Sequence, residues 1–151
     1  MVEGNERAVR VAIVVPAYNE EPAIAQVIGD LKALQPPPDV LVVNDGSSDR
    51  TGRAAKQTEQ ALVVDLPDNL GIGGAVQTGF KFATAAGYDF AVQFDGDGQH
   101  IAEEIPKLLK ALNESETDIV IGSRFLDSHA GYQSTFIRRI GIKVFRVVNS
   151  L

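Results

Sequence analysis

Blocks of apolar and polar residues alternate along this chain with two different periods. Val9 to Val15 is a nearly continuous β-branched run, broken only by Arg10 and Ala12 and closed by Pro16, and it reads as a buried strand. A loop follows over Pro16 to Glu21, and then Ile24, Val27, Ile28, Leu31 and Leu34 recur at helical spacing until Pro36-Pro37-Pro38. Glu20 and Glu21 are expected to open that helix favourably for its dipole. Val40 to Val43 predicts a second strand, running into Asn44-Asp45-Gly46-Ser47-Ser48-Asp49, where Ser48 or Asp49 can cap a helix over about 50–60.

Leu62-Val63-Val64 predicts a third strand, and Asp68 to Gly74 reads as a loop before a helix that turns Val76, Phe80 and Ala83 inward and stops at Gly87. Phe90 to Phe94 is the fourth strand. Ile105, Leu108, Leu109 and Leu112 mark an amphipathic helix with Pro106 in its first turn. Asp118 to Ile121 is expected as a fifth strand, and Phe136, Ile137, Ile140, Val144, Phe145 and Val148 show helical spacing again. That pattern is still running at Leu151, so the native chain is expected to continue. Short strands alternating with helices predict an α/β domain with a mostly parallel sheet.

The fourth strand ends in Asp95-Gly96-Asp97-Gly98-Gln99-His100. Two carboxylates flanking one glycine repel each other unless a cation neutralises them, and hard divalent ions favour such ligands. The same letters also suit a solvated Asp-Gly turn. Open α/β sheets bind ligands beyond the carboxyl ends of their strands, and three strand ends here carry polar clusters: Tyr18-Asn19-Glu20, Asp45, and Asp95 with Asp97. That coincidence favours one shared site over three unrelated turns.

With 151 residues and 44% hydrophobic content the chain can build one sizeable core. It has no cysteine, which removes disulfides and thiolate metal sites, and its net charge of -6 argues against nucleic acid as a partner. No apolar run reaches transmembrane length. As an EF-hand loop from Asp95 the acid pair fails, with His100 where glycine is required and Pro106 where glutamate is required. Gly71-Ile72-Gly73-Gly74 follows the third strand, so it is not a first-strand dinucleotide fingerprint. Haloacid-dehalogenase phosphatases carry their acid pair after the first strand, and sugar-phosphate nucleotidyltransferases want a basic glycine-rich loop there; neither pattern is present.

Five segments, in order, carry a resemblance: Val14 to Glu21, Val43 to Asp49, Asn69 to Ala75, Asp95 to His100, and Gly122-Ser123-Arg124-Phe125. Together they resemble the family 2 glycosyltransferases of GT-A fold, nearest the dolichyl-phosphate or polyprenyl-phosphate mannosyl- and glucosyltransferase branch. The resemblance implies a Rossmann-like, mostly parallel central sheet flanked by helices, with residues 1–151 forming a single GT-A catalytic domain that lacks its C-terminal part. It sets Pro16, Tyr18 and Glu20 along the base and ribose of a nucleoside-diphosphate sugar, and Val43 and Asp45 against the base. Asp95, Gly96 and Asp97 fall at the donor diphosphate, with Asp95, Asp97 and Gln99 as ligands of Mg²⁺ or Mn²⁺. Arg124 and Arg138 fall near a lipid-phosphate acceptor, and Asp97 and Arg124 are the positions it makes catalytic. Asn44 departs from the acidic residue common there.

On physical grounds His100 reads as a helix-start residue or a neighbour of the ligands, since neutral imidazole is the poorer partner for Mg²⁺. His129 receives no role, and Arg139 could be solvated charge or a phosphate contact. The implied reaction is inverting transfer of the sugar to a polyprenyl or dolichyl phosphate, whose oxygen is already anionic and needs no strong base. The alternatives are a family member acting on a saccharide hydroxyl, whose base the resemblance places beyond Leu151 with Asp127 as the one weak local candidate, and a donor-binding fragment without turnover. A cytoplasmic location, membrane contact only through a longer native protein, and self-association through an exposed apolar helix face complete the expectations.

Overall fold

The β-branched run that opens the chain becomes the centre of the sheet. In a computed structural model, which describes residues 9–115 and 117–123, β1 (Val11–Ala17), β2 (Asp39–Asn44), β3 (Leu62–Asp65) and β4 (Phe90–Gln93) form one parallel sheet. Its strand order is β3-β2-β1-β4. Helices α1 (Ile24–Lys32), α2 (Thr51–Gln57), α3 (Gly71–Ala85) and α4 (Ile105–Glu114) connect or follow the strands, α4 preceded by a 3₁₀ turn at Ala102–Glu104. Two compact units divide between Leu109 and Lys110; the first holds the whole sheet with α1, α2 and α3, and the second begins within α4.

Strand side chains alternate between faces, so β1 and β2 feed two cores. Ile13, Val15, Ala17, Val40 and Val42 pack with Ile24, Val27, Ile28 and Leu31 of α1, Ala55 of α2 and Ile105 of α4. Val14, Leu41 and Val43 face the other way and pack with Ala75 of α3. Cover on both faces is why β1 and β2 read as continuous apolar runs. Pro16 stands inside β1 without cost: Val14 accepts from the Phe94 N–H, so Pro16, two residues on, faces the same side beyond the last residue of β4.

Several expectations need correction. Gly71 to Gly74 is the first turn of α3, not loop. The buried face of α3 is Ala75, Gly79 and Ala83, and Phe80 points outward at 39% exposure, with Val76 half-buried beside it. A Cβ on Gly79 would stand 2.2 Å from Val14 Cγ1, so the helix is docked through its smallest residues and the large ones are rotated away. Glu20 and Glu21 precede α1, which has no acidic residue in its first turn. Helix α2 stops at Gln57, short of position 60. Asp118 to Ile121 forms no strand: Ile119 and Ile121 are 76% and 81% exposed, and an extended pattern is not a strand until it finds a ladder.

Gly87 does end α3. It adopts φ +71°, its N–H donates to Thr84 and that of Tyr88 to Ala83, the paired closure of a left-handed cap. The expected helix over 136–148 lies outside the described residues.

Candidate functional site

All four strands end on the same edge, at Ala17, Asn44, Asp65 and Gln93, so the loops that follow them share one side of the molecule. The sequence order runs from β1 outward through β2 to β3, then returns to the other flank of β1 for β4. The crevice of such a sheet opens where the direction reverses, between β1 and β4. Those two strands deliver Tyr18 to Glu20 and Asp95 to Asp97. Strand β4 stops opposite Val14, three residues before β1 does, and the chain then crosses the end of β1. Gly96 makes the crossing: a Cβ there would lie 3.1 Å from the Pro16 carbonyl and 3.3 Å from Ala17 Cβ. The spacer between the acids is glycine because backbone packs on backbone there.

The loop after β1 is laced to the loop after β2. Asn19 sits in the left-handed region at φ 57°, and its N–H donates to Ser47 Oγ at 3.0 Å. Its Oδ1 accepts from the Ser48 N–H at 2.9 Å, the Ser48 hydroxyl at 3.2 Å and the Asp49 N–H at 3.4 Å. The Glu20 N–H donates to Thr51 Oγ1 at 2.8 Å, and the hydroxyl of the fully buried Thr51 in turn donates a hydrogen bond to Asp49 Oδ1. Asp49 Oδ1 also accepts the Thr51 N–H at 2.9 Å, an Asx-type bond just ahead of α2; the N-cap itself is Arg50, with no side-chain cap, where Ser48 or Asp49 was expected. Arg50 and Glu21 close the seam as an ion pair at 2.6 Å. The guanidinium of Arg50 holds the Glu21 carboxyl below its usual range, and the Thr51 hydroxyl does the same for Asp49.

Asp45 is 2% exposed, and its Oδ1 accepts the Leu70 N–H at 2.7 Å. That bond ties the end of β2 to the residue before α3. Next to it Gly46 (φ +64°) leaves no room for a side chain, a Cβ meeting Asn69 N and Asp68 C at 2.6 Å. Asn44 Nδ2 donates to Asp65 Oδ1 at 2.8 Å, and Lys56 pairs with the other oxygen of Asp65; both lower the Asp65 pKa, Lys56 the more. Asn44 thus joins β2 to β3. Its own Oδ1 is buried and, among the described residues, has no hydrogen-bond partner.

At the acid pair, the Asp95 carboxylate lies between Gln93 Nε2 at 3.1 Å and His100 Nε2 at 3.5 Å. The His100 ring stands edge-on to the buried Phe94, centroids 5.4 Å apart, which fits a residue behind the ligands. Asp97 Oδ1 accepts the Gln99 N–H at 2.9 Å, so the Asp-Gly turn is present and carries both acids at the end of β4. Asp97 is exposed and Asp95 partly so, and Gly98 closes the turn at φ +72°. Glu20 faces this cluster: burial, then the charges of Asp97 and Asp49, raise its pKa. Among the described residues no three His, Cys, Asp or Glu converge on one point. Two accessible carboxylates suit a hard ion that completes its shell with phosphate oxygens and water, and do not form a closed cage.

Tyr18 offers its ring at 49% exposure, whereas Pro16 and Val43 are buried; any donor contact by Val43 would go through its main chain. Arg124, Asp127, His129, Arg138 and Arg139 lie outside the described residues. Sequence reading passed over Thr51 and Asp65 and placed Asn19 in a strand-end cluster without a role; their partners are 21 to 31 positions away. Asparagine's tolerance of left-handed backbone is the one local signal that pointed to Asn19.

A family model described as glycosyl transferase family 2 matches residues 12–148. An undecaprenyl-phosphate mannosyltransferase of Micrococcus luteus is 39% identical over 119 residues, 76% of this chain and 48% of that protein. A UDP-N-acetylglucosamine–dolichyl-phosphate N-acetylglucosaminyltransferase of Methanococcus voltae is 30% identical over 145 residues, covering 85% of this chain and 57% of its own length. The chain therefore spans about half the length of the curated relatives it matches. The structure of glucosyl-3-phosphoglycerate synthase from Mycobacterium tuberculosis with Mn²⁺, UDP-glucose and phosphoglyceric acid superposes with a TM-score of 0.59 at 28% identity, over 72% of this chain and 41% of that one. With the acid pair at the β1–β4 crevice and a match that spans nearly all the described residues, the chain belongs to glycosyltransferase family 2.

Proposed function

We propose that this chain binds a nucleoside-diphosphate sugar across the carboxyl ends of β1, β2 and β4 and transfers the sugar, with inversion, to a polyprenyl or dolichyl phosphate. The observation that carries the reading is the convergence of Tyr18, Glu20, Asp45, Asp95 and Asp97 on one sheet edge at its point of reversal. Two named relatives use a polyprenyl-type phosphate acceptor, and one structural neighbour holds Mn²⁺ with UDP-glucose, which supports the same chemistry here.

Tyr18 and Glu20 would line the base and ribose, Glu20 accepting from ribose hydroxyls. Asp45 has one carboxylate oxygen committed to Leu70, so the other is the atom left for a ring N–H of uracil or guanine. Asp95 and Asp97 would hold a divalent ion, Mg²⁺ or Mn²⁺, with Gln99 as a further ligand; bound there, the ion would neutralise charge on the diphosphate leaving group. The acceptor oxygen attacks the anomeric carbon in line, a new C–O bond forms, and the bond to the diphosphate breaks with its electron pair leaving on the nucleotide. An anionic phosphate acceptor needs no base, so the protein's task is positioning. Arg124 and Arg138 are proposed for the acceptor phosphate, where a guanidinium fork matches phosphate geometry. The cytoplasmic face of a membrane is the proposed place of action; among the described residues no helix is long and apolar enough to cross one.

The test is transfer of labelled sugar from GDP-mannose and UDP-glucose to undecaprenyl phosphate, with Mn²⁺ or EDTA, beside a saccharide acceptor. Label in the lipid that is lost with EDTA and in Asp97→Ala supports the proposal. Label on the saccharide alone favours the hydroxyl-acceptor reading, and donor binding without transfer favours a binding module.

A further inference from the structure

We propose that Asn19 is a positioning residue for nucleotide recognition, fixing the loop that carries Tyr18 and Glu20 against the loop that carries Asp45. The inference rests on reading the site as one for a nucleoside diphosphate. Nothing in the reaction calls for Asn19 itself, yet it is one of two non-glycine residues with positive φ among those described, and its amide side chain is spent on one neighbour. One oxygen takes three donors from Ser48 and Asp49, while its backbone N–H reaches Ser47. Those partners begin two residues after Asp45 and one after Gly46, whose backbone is wedged against Asp68 and Asn69.

Asn19 therefore joins the loop after β1 to a segment that is fixed on its other side. The consequence falls on its two neighbours in sequence. Tyr18 is half-exposed, and among the described residues no hydrogen bond holds its hydroxyl, so the direction of its ring follows the backbone that Asn19 locks. Glu20 is held through its backbone, its N–H donating to Thr51 and its carbonyl accepting from the N–H groups of Ala23 and Ile24, so its side chain too is aimed by the main chain. Without the Asn19 oxygen the two loops keep the Glu20–Thr51, Glu21–Asp49 and Arg50–Glu21 contacts, enough to stay folded. They lose the three bonds by which the Asn19 oxygen holds Ser48 and Asp49, so beyond the bond from the Asp45 N–H to the Ala17 carbonyl at 2.9 Å the spacing of the two loops is no longer preset. A binding surface assembled from two loops loses affinity when their spacing is no longer preset.

Two substitutions separate geometry from chemistry. Asn19→Gly keeps the left-handed backbone and removes the oxygen, whereas Asn19→Asp keeps both an acceptor oxygen and tolerance of that backbone. Hydrogen exchange at the Ser48 amide, read without ligand, reports the latch, and calorimetric titration with GDP or UDP plus Mn²⁺ reports recognition. The expected result is faster Ser48 exchange and about tenfold or more weaker nucleotide binding in Asn19→Gly, with an unchanged urea midpoint to within a few tenths of a molar, and binding within about threefold of wild type in Asn19→Asp. Unchanged exchange in Asn19→Gly overturns the latch. Faster exchange with unchanged affinity overturns its role in recognition. If the wild-type chain binds neither nucleotide, the reading of the site has failed and this inference goes with it, while the exchange result still says whether the loops are latched.

Discussion

Helix α3 lies against β1 through Gly79, and that contact makes a sharp prediction. A methyl at Gly79 would stand 2.2 Å from Val14 Cγ1 and 3.1 Å from Cγ2. Carbon atoms in contact sit about 3.5–4.0 Å apart, so the overlap exceeds roughly 1 Å and no small adjustment removes it. Val14 has no exposed surface and is enclosed by Leu41, Val43 and Ala75, so it cannot turn aside, and the helix must retreat. Overpacking of this kind costs about 1–3 kcal/mol, against which alanine's better helix propensity returns about 1 kcal/mol. For so large an overlap Gly79→Ala is expected to destabilise the chain by about 1–2 kcal/mol, a fall in urea midpoint of about 0.5–1 M at a slope near 2 kcal/mol/M. Gly29→Ala in α1 is the control, because nothing among the described residues lies within 4 Å of its Cβ; it should raise the midpoint, by about 0.5–1 kcal/mol in stability. The retreat would also pull on Leu70, the residue before α3, and weaken its bond to Asp45. A Gly79→Ala chain as stable as Gly29→Ala would refute the close docking of α3 on β1.

Three further outcomes follow from the same geometry. Gly46→Ala meets backbone at 2.6 Å and a positive φ together, so it should lower the thermal midpoint and abolish nucleotide binding, read by calorimetry. Asp45→Ala removes the carboxylate that accepts the Leu70 N–H, a bond to a charged and buried group, and should cost about 1–3 kcal/mol in urea unfolding, whereas Asp45→Asn keeps an acceptor there and should cost less. Asp65 has its pKa lowered from 3.8 by Lys56 and Asn44, so the stability it adds over Asp65→Asn is present above 3.8 and is lost as pH falls through the lower folded-state value. Unfolding midpoints of the two chains across that range should converge on acidification; since the pair is partly exposed, added salt should shrink the difference too.

Much of the layout was legible because the elements that decide it are extreme in composition. Strands β1 and β2 are buried on both faces and so read as unbroken β-branched runs, and the spacing of Ile24, Val27, Ile28 and Leu31 left one face for α1. Asp45, Asp95 and Asp97 could be placed because polar residues right after apolar runs mark strand ends. The face of α3 was misread for a definite reason: periodicity counts large apolar side chains, and this helix docks through Ala75, Gly79 and Ala83, leaving Ile72 and Phe80 outside. The extended pattern of Asp118 to Ile121 misled because pairing is a long-range property. The latch at Asn19 was invisible for the same reason, its partners being 28 to 30 residues downstream. Family resemblance supplied roles for residues; the structure supplied the reasons for Gly96, Gly46 and Asn19.

The measurement that bears most directly on a metal-dependent donor site at the β1–β4 crevice is calorimetric titration of the chain with GDP and with UDP, each in Mn²⁺ and in EDTA, repeated on Asp97→Ala. Saturable binding of one nucleotide that requires the metal and falls at least about tenfold in Asp97→Ala is the predicted result, and it would also name the donor's base. Binding indifferent to EDTA and to Asp97, or no binding by a chain shown to be folded, would contradict it.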